Sequence, residues 1–155
     1  MKRAGAVRME DRYLFKAKRT DNEEWVQGCC FTQYERFFIK DIQKSFATTI
    51  YNEPSVVDFN VRAYEVSSNT VCQCTGLTDK NGNLIWENDI VIFLDTYSTE
   101  NGLAEASCIG KVVWDDETLS FQVTGRLSAE SYEVLDDCCV IGNIFDNPEL
   151  LEMGV

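Results

Sequence analysis

Cys74-Thr75-Gly76-Leu77-Thr78-Asp79-Lys80-Asn81-Gly82-Asn83-Leu84-Ile85-Trp86-Glu87-Asn88-Asp89-Ile90-Val91 carries the clearest β-hairpin signal in the chain. At its centre, Asp79-Lys80-Asn81-Gly82 is a tight-turn signal. Asn and Gly both tolerate the positive φ of a two-residue hairpin loop, and here apolar residues flank them. Leu84, Ile85 and Trp86 then run into a second polar break, Glu87-Asn88-Asp89, and a new apolar strand, Ile90 to Leu94, leaves that corner. Strand, turn, short strand, sharp corner and long strand in succession is the opening of a small β-barrel.

Upstream of this stretch the chain is also rich in β signals. Residues 1–11 carry Lys2, Arg3 and Arg8 with little apolar content and are expected to form a loose leader. Arg12 to Arg19 alternates, with Tyr13, Phe15 and Ala17 on one face and Leu14, Lys16 and Lys18 on the other, as in a half-buried strand. Thr20 to Glu24 reads as a turn, and Trp25 to Thr32 as the returning strand. Gln33 to Phe46 fits a helical face or a strand, and is expected to be irregular with a short strand near Phe37 to Asp41. Thr48 to Tyr51 reads as β. Pro54 breaks the chain there, because proline disfavours helical backbone at the residue before it. Val56 to Val66 is again β-rich, and Val71 to Thr75 is a further short strand that alternates with Cys72 and Cys74.

Downstream, Asp95 to Gly102 is polar and reads as a loop. Ser107 to Trp114 is a strand, joined by the acidic turn Asp115-Asp116-Glu117-Thr118 to a partner over Leu119 to Gly125. Leu127 to Val134 fits a single helical turn with Ser128 as its N-cap. Asp137 to Phe145 is the last strand. Asn147 caps a short closing helix that starts at Pro148, a position where the missing N–H costs nothing.

Two blocks of the chain resemble the YopX family of phage and prophage proteins. One is Gln73 to Gly82 followed by Ile85 to Val91. The other is the closing run Val140-Ile141-Gly142-Asn143-Ile144-Phe145-Asp146-Asn147-Pro148-Glu149-Leu150-Leu151. A weaker block, Tyr13-Leu14-Phe15-Lys16-Ala17, resembles the family's N-terminal segment. The chain departs from the family pattern where Cys74 replaces an aromatic residue and Asn88 a glycine. The resemblance implies a phage lineage and carries no biochemical activity with it.

Composition narrows the function classes. The chain has 155 residues, enough for one domain with a real core, and 45% of them are hydrophobic. A net charge of −12 argues against ordinary nucleic-acid or anionic-membrane binding, which needs a basic face. Histidine, the commonest general base and metal ligand, is absent. With seven cysteines, no apolar leader and no apolar run long enough to span a bilayer, reduced thiols in the cytoplasm of a bacterial host are expected.

The residue types that could carry chemistry each have a plainer reading. Cys72 and Cys74 share one face of a strand, whereas Cys29-Cys30 and Cys138-Cys139 are adjacent and split across faces. Four thiolates drawn from these could hold zinc, but the two-residue gaps of a zinc knuckle are missing, so the cysteines are expected to pack as small hydrophobes. Carboxylates cluster at Asp115-Asp116-Glu117, at Glu133 with Asp136-Asp137, and at Asp146, Glu149 and Glu152. They are expected to form solvated turns and caps, since neither a histidine nor a phosphate-cradling glycine loop completes a site. Gly76, Gly82, Gly110 and Gly142 are scattered singly, and Gly142 marks a strand bend or a close backbone approach. Trp25, Trp86 and Trp114, with Tyr13 and Phe31, could form a ligand platform but are expected in the barrel core.

The sequence therefore predicts a mainly β protein with minor helix (α+β). After the leader, a β-rich region over 12–69 is expected to pack on the barrel or on a neighbouring subunit. A small SH3-like twisted barrel with a terminal short helix is expected over 70–155. Ile90 to Leu94 and Val140 to Phe145 are expected to be its central strands, being nearly continuous in apolar residues. No catalytic, cofactor or metal-binding residue is assigned. The expected role is a non-enzymatic one exercised through protein–protein contacts, as a homo-oligomer or with a host protein, without direct nucleic-acid or membrane binding. The alternatives are an acidic mimic of nucleic acid that occupies a host DNA-binding protein, and a barrel that binds a small ligand or metal.

Overall fold

A computed structural model describes residues 13–41, 62–127 and 137–153. The expectations for the leader, for Thr48 to Tyr51, for the break at Pro54, for the start of the Val56 to Val66 run and for the helical turn after Ser128 lie outside the described residues. The chain divides into two compact units, one over Leu14–Val71 and one that contains Cys72–Val155.

The first unit is an antiparallel sheet of β1 (Phe15–Lys18), β2 (Trp25–Gln33), β3 (Arg36–Asp41) and β4 (Ala63–Val66), in the order β4-β3-β2-β1. Strand alternation decides which face is buried. Ala17, Ile39 and Val66 form the core, and Phe15, Val26, Cys30, Phe37 and Val71 pack against it. Lys16, Lys18 and their register partners Gln27 and Trp25 fall on the opposite face. β3 falls where the short strand near Phe37 to Asp41 is expected, beginning one residue earlier at Arg36. It is joined to β2 through Tyr34 and Glu35, both in the left-handed region with φ of 50° and 62°, between the paired residues Gln33 and Arg36. Positive φ at both loop residues matches the twist of a two-residue hairpin, but Tyr and Glu are not the residues that normally announce one.

In the second unit β5 (Cys72–Thr78) and β6 (Leu84–Trp86) form a hairpin, and β7 (Asp89–Thr99), β8 (Gly102–Asp115), β9 (Ser120–Val123) and β10 (Cys139–Asn143) form a four-stranded antiparallel sheet in the order β10-β7-β8-β9. The core consists of Ile85, Val91, Phe93, Cys108, Val112, Val123 and Cys138, with Leu77, Ala106, Phe121 and Val140 packed on it. Pro148–Met153 is a short 3₁₀ helix. It and the residue before it lie so close to β10 that a Cβ on Gly142 would meet Leu150 Cδ1 at 2.9 Å and Asn147 Oδ1 at 2.6 Å, which explains the glycine there.

The mainly β fold stands, whereas the closed SH3-like barrel does not: the described strands form open antiparallel sheets. β7 is central, between β10 and β8, but β10 is an edge strand and ends at Asn143. There the Asn143 side chain turns the chain by accepting hydrogen bonds from the N–H groups of Phe145 and Asp146, each at 3.0 Å. Apolar content alone did not separate central from edge, because β10 buries its apolar side chains through one face while its outer backbone is left to polar partners. The loop expected over Asp95 to Gly102 is instead strand. β7 and β8 stay in register from Asp95↔Ala106 to Thr99↔Gly102, and the turn comes only at Glu100-Asn101. Asn101-Gly102 repeats the Asn-Gly cue, and Gly102 takes a φ of 117°. The β-branched residues Thr96 and Thr99 suit a strand whose outer face is wet.

Candidate functional site

The central hairpin is fastened by one buried carboxylate. Asp79 is only 4% exposed. Its Oδ1 accepts the backbone N–H groups of Asn81 at 2.9 Å and Asn83 at 2.8 Å. Its Oδ2 accepts Asn83 Nδ2 at 3.2 Å and the backbone N–H of Val140 at 3.0 Å, which reaches β10. The Lys80 N–H donates to the Cys138 carbonyl at 3.0 Å, beside that tie. Burial pushes the Asp79 carboxyl up, but the Asn83, Val140 and Asn81 donors outweigh it and hold the group below the ordinary aspartate range. The loop itself differs from the two-residue turn expected. The Gly82 N–H bonds the Asp79 carbonyl at 2.9 Å, and Gly82 alone takes positive φ, at 85°, while Asn81 does not.

The corner that follows is built on Asn88, whose φ of 67° shows asparagine in a backbone conformation suited to glycine. The Asn88 N–H donates to the Val112 carbonyl at 2.8 Å, the Ile144 N–H to the Asn88 carbonyl at 3.1 Å, and the Glu87 N–H to the Gln73 carbonyl at 2.9 Å. Buried Asp89 accepts the Trp86 N–H at 2.8 Å. Thr75 bridges the irregularity in β5, donating its hydroxyl to the Ile85 carbonyl at 2.8 Å and accepting the Leu77 N–H at 3.1 Å. These polar groups hold backbone in place. Their arrangement is structural.

The residues singled out for chemistry are dispersed. Cys72, Cys74, Cys108 and Cys138 are buried, Cys30 and Cys139 are partly buried, and Cys29 is exposed, so the packing role does not extend to Cys29. Burial first, and then the Asp79 charge, pushes the Cys138 thiol up to about 11, which makes it a poor nucleophile. Among the described residues no group of three or more His, Cys, Asp or Glu is placed to hold a metal ion. Asp115 accepts the Glu117 N–H at 2.9 Å and the Thr118 hydroxyl at 2.8 Å, the pattern of a turn-former, and Asp146 accepts Asn143 Nδ2 at 3.0 Å. Glu149, Glu152 and Asp137 are exposed, while Glu133 and Asp136 lie outside the described residues. Of the aromatic residues expected in the core, only Trp86 is buried. Tyr13 is 67%, Phe31 39% and Trp114 44% exposed, and Trp25 is half-buried. Tyr13 precedes β1, and register puts Trp25 and Phe31 on the outer face of the first unit's sheet.

Two surfaces remain as candidate sites. The first is the hairpin arm of β7 and β8 beyond Phe93 and Cys108. Its outward row pairs Leu94 with Ser107, Thr96 with Glu105 and Ser98 with Leu103, and both leucines stand open, at 57% and 78% exposure. The edge strand β9 lies at the other end of β8, where it pairs with Val112 to Asp115, and is entered from exposed Leu119.

The second surface is the outer face of the first unit's sheet, where register places Lys16 and Lys18 beside Gln27 and Trp25, Cys29 beside Lys40, and Phe31 beside Phe38 and Glu65. Lys16 Nζ and Lys18 Nζ lie 5.2 and 5.6 Å from the Trp25 ring centroid. Phe31 and Phe38 stack at 5.4 Å with their planes 16° apart. Arg36 sits 5.5 Å from the Phe38 ring and grips Glu65 with two hydrogen bonds, one of 2.6 Å. A signal for this face was present in the sequence but is hidden by the whole-chain charge. Residues 72–155 carry sixteen carboxylates against three cations, a net −13, and residues 1–71 carry eleven cations against ten carboxylates, a net +1.

Fold and surfaces together define a mainly β protein of two compact antiparallel units, with its buried polar groups committed to structure. The chain belongs to the YopX protein family, whose model matches residues 14–152. Among solved structures it is similar to the crystal structure of protein EF1440 from Enterococcus faecalis, with a TM-score of 0.48 and 22% identity over 88% of this chain and 96% of that one. At that level the likeness carries no argument about function. The comparison with curated proteins gives no match. Among the described residues, no helix is long and apolar enough to cross a membrane.

Proposed function

We propose that this YopX-family chain is a non-enzymatic, phage-derived protein of the bacterial cytoplasm that works through protein–protein contacts, first of all with further copies of itself. The observation that carries this reading is the β7–β8 arm. A two-stranded ribbon is marginal alone in water, yet this one extends from Leu94 to Ser107 with Leu94 and Leu103 open on its outward row. Exposed leucines on a ribbon with no further strand paired to it among the described residues favour pairing across subunits. Closed symmetry is the usual result of such pairing. Among the described residues Asp79, Asp89 and Asp115 serve backbone ties and turns, which favours a contact protein over a mimic of nucleic acid.

Light scattering at two salt concentrations tests this. The expected result is a multiple of the 17.7 kDa chain that strengthens as salt screens the net charge of −12, and its dissociation by Leu94→Lys with Leu103→Lys. A stable 17.7 kDa monomer at both salt concentrations would reject self-association and turn the reading towards a host protein.

A further inference from the structure

We infer that the outer edge of β9 pairs antiparallel with β9 of a second copy, across a two-fold axis at Gln122, in an interface separate from the β7–β8 arm. The ladder to β8 sets which backbone groups face outward. The Thr124 N–H donates to the Lys111 carbonyl at 2.9 Å, so alternation turns the backbone of Gln122 and Ser120 towards β8 as well. Phe121 and Val123 then aim their N–H and C=O groups away from β8, where no strand meets them among the described residues. The opposite edge of this sheet is closed off. On β10 the Val140 N–H is taken by Asp79, and Asn147 and Leu150 crowd Gly142. Ser120-Phe121-Gln122-Val123 has no charge, proline or glycine to deter a partner strand.

A second copy is the occupant that this strand's own sequence fits. With the axis at Gln122, Phe121 of each copy stands opposite Val123 of the other, and each such pair exchanges both of its N–H···O bonds. An aromatic ring opposite a β-branched side chain is a favourable cross-strand pair. Val123 belongs to the core and Phe121 packs on it, with the half-exposed Trp114 ring 5.1 Å away, so the pairing extends that core across the axis. The same register sets exposed Leu119 opposite Gly125, which has no side chain to clash with it. On the other face the two Gln122 amides meet, each with a donor and an acceptor. Charge selects the direction of pairing. Antiparallel strands put Thr118 of each copy opposite Arg126 of the other, so the acidic turns at Asp115-Asp116-Glu117 lie roughly 27 Å apart at about 3.4 Å per residue. That is well beyond a Debye length of about 8 Å, whereas parallel pairing sets the turns side by side.

The experiment is sedimentation velocity on the full-length chain carrying Leu94→Lys with Leu103→Lys, which removes the arm contact so that any dimer left reports β9. A concentration-dependent dimer is expected. In that background Gln122→Lys or Gln122→Glu sets like charges against each other on the axis and should weaken the dimer about tenfold. An equimolar mixture of the two variants should restore it, because opposite charges then face each other, and a misfolded variant would not be rescued in this way. The Phe121 and Val123 amides should exchange slowly in the dimer and fast on dilution. A monomer in the arm-variant background overturns the inference, and the arm reading stands if the unaltered chain still associates. A dimer indifferent to both Gln122 variants also overturns it, as does a mixture that shows no recovery. A dimer that follows the charge at Gln122 upholds it, and if the arm substitutions leave association of the chain unchanged, the arm reading alone falls.

Discussion

The units over Leu14–Val71 and Cys72–Val155 are both antiparallel β-structures, and they differ in where their polar groups go. In the first, cations and rings share an exposed sheet face, and the hairpin Tyr34-Glu35 turns without glycine. In the second, two buried aspartates, Asp79 and Asp89, tie backbone, and Gly82, Asn88 and Gly102 take left-handed turns. A residue's charge therefore says little about its role until its unit is known. Aspartate is structural in one unit, and lysine is a surface feature in the other.

The difference breaks most sharply at Asp79. Asp79→Ala leaves the Asn81, Asn83 and Val140 N–H groups without their acceptor. It should cost on the order of 4 kcal/mol in urea unfolding, with hydrogen-exchange protection lost first within 72–153. Because the folded carboxyl titrates below its ordinary value, its contribution is complete above that ordinary value and is lost as pH falls through the depressed one. Asp79→Asn should therefore show a smaller loss of stability than wild type between neutral pH and about pH 3. A wild-type profile unchanged by Asp79→Asn would mean that the carboxylate tie contributes nothing.

Paired glycine substitutions address the two units in turn. A Cβ on Gly28 would stand 1.9 Å from the Lys40 carbonyl oxygen, and one on Gly110 would stand 1.9 Å from the Thr124 carbonyl oxygen. Gly28→Ala should loosen β2 from β3, and Gly110→Ala should loosen β8 from the strand beside it, each by about 2–3 kcal/mol. Exchange measured unit by unit should show each defect confined to its own sheet. Equal loss across both sheets from either change would erase the division. Smaller again is Gly82→Val, at about 1–2 kcal/mol, since a Cβ there meets no atom within 4 Å and only the φ of 85° is strained. An unchanged denaturation midpoint would show that this turn tolerates the strain.

The last test perturbs stability least. In the native protein a thiol reagent should modify exposed Cys29 first and buried Cys138 last, and in denaturant it should find all seven thiols. Rapid native labelling of Cys138 would contradict a thiol pushed up to about 11 behind the hairpin.

Much of the fold was legible because period-2 alternation and turn residues act locally. Phe15 with Ala17, the turn at Asp79 to Gly82, the acidic turn at Asp115 and the start at Pro148 all fall where their patterns put them. The surfaces were less legible. The Asn101-Gly102 cue was available, but the polar run from Asp95 masked it. Tyr34-Glu35 gave no cue at all, because its positive φ values are imposed by the two strands it joins. The aromatic residues misled for a related reason: a ring in a strand has equal claim to either face, and register assigns Trp25 and Phe31 to the outer one.

The family, the predominance of antiparallel β-structure and the local turns could be read from the residues alone, because they depend on neighbours along the chain and on side-chain alternation. Tertiary structure alone decided that the sheets stay open, that β10 lies at an edge, that Asp79 is a buried tie and that lysines and rings meet on one face. Each of these depends on which strands lie side by side. Pairing brings together residues as distant as Asp79 and Val140, and no local pattern encodes that register.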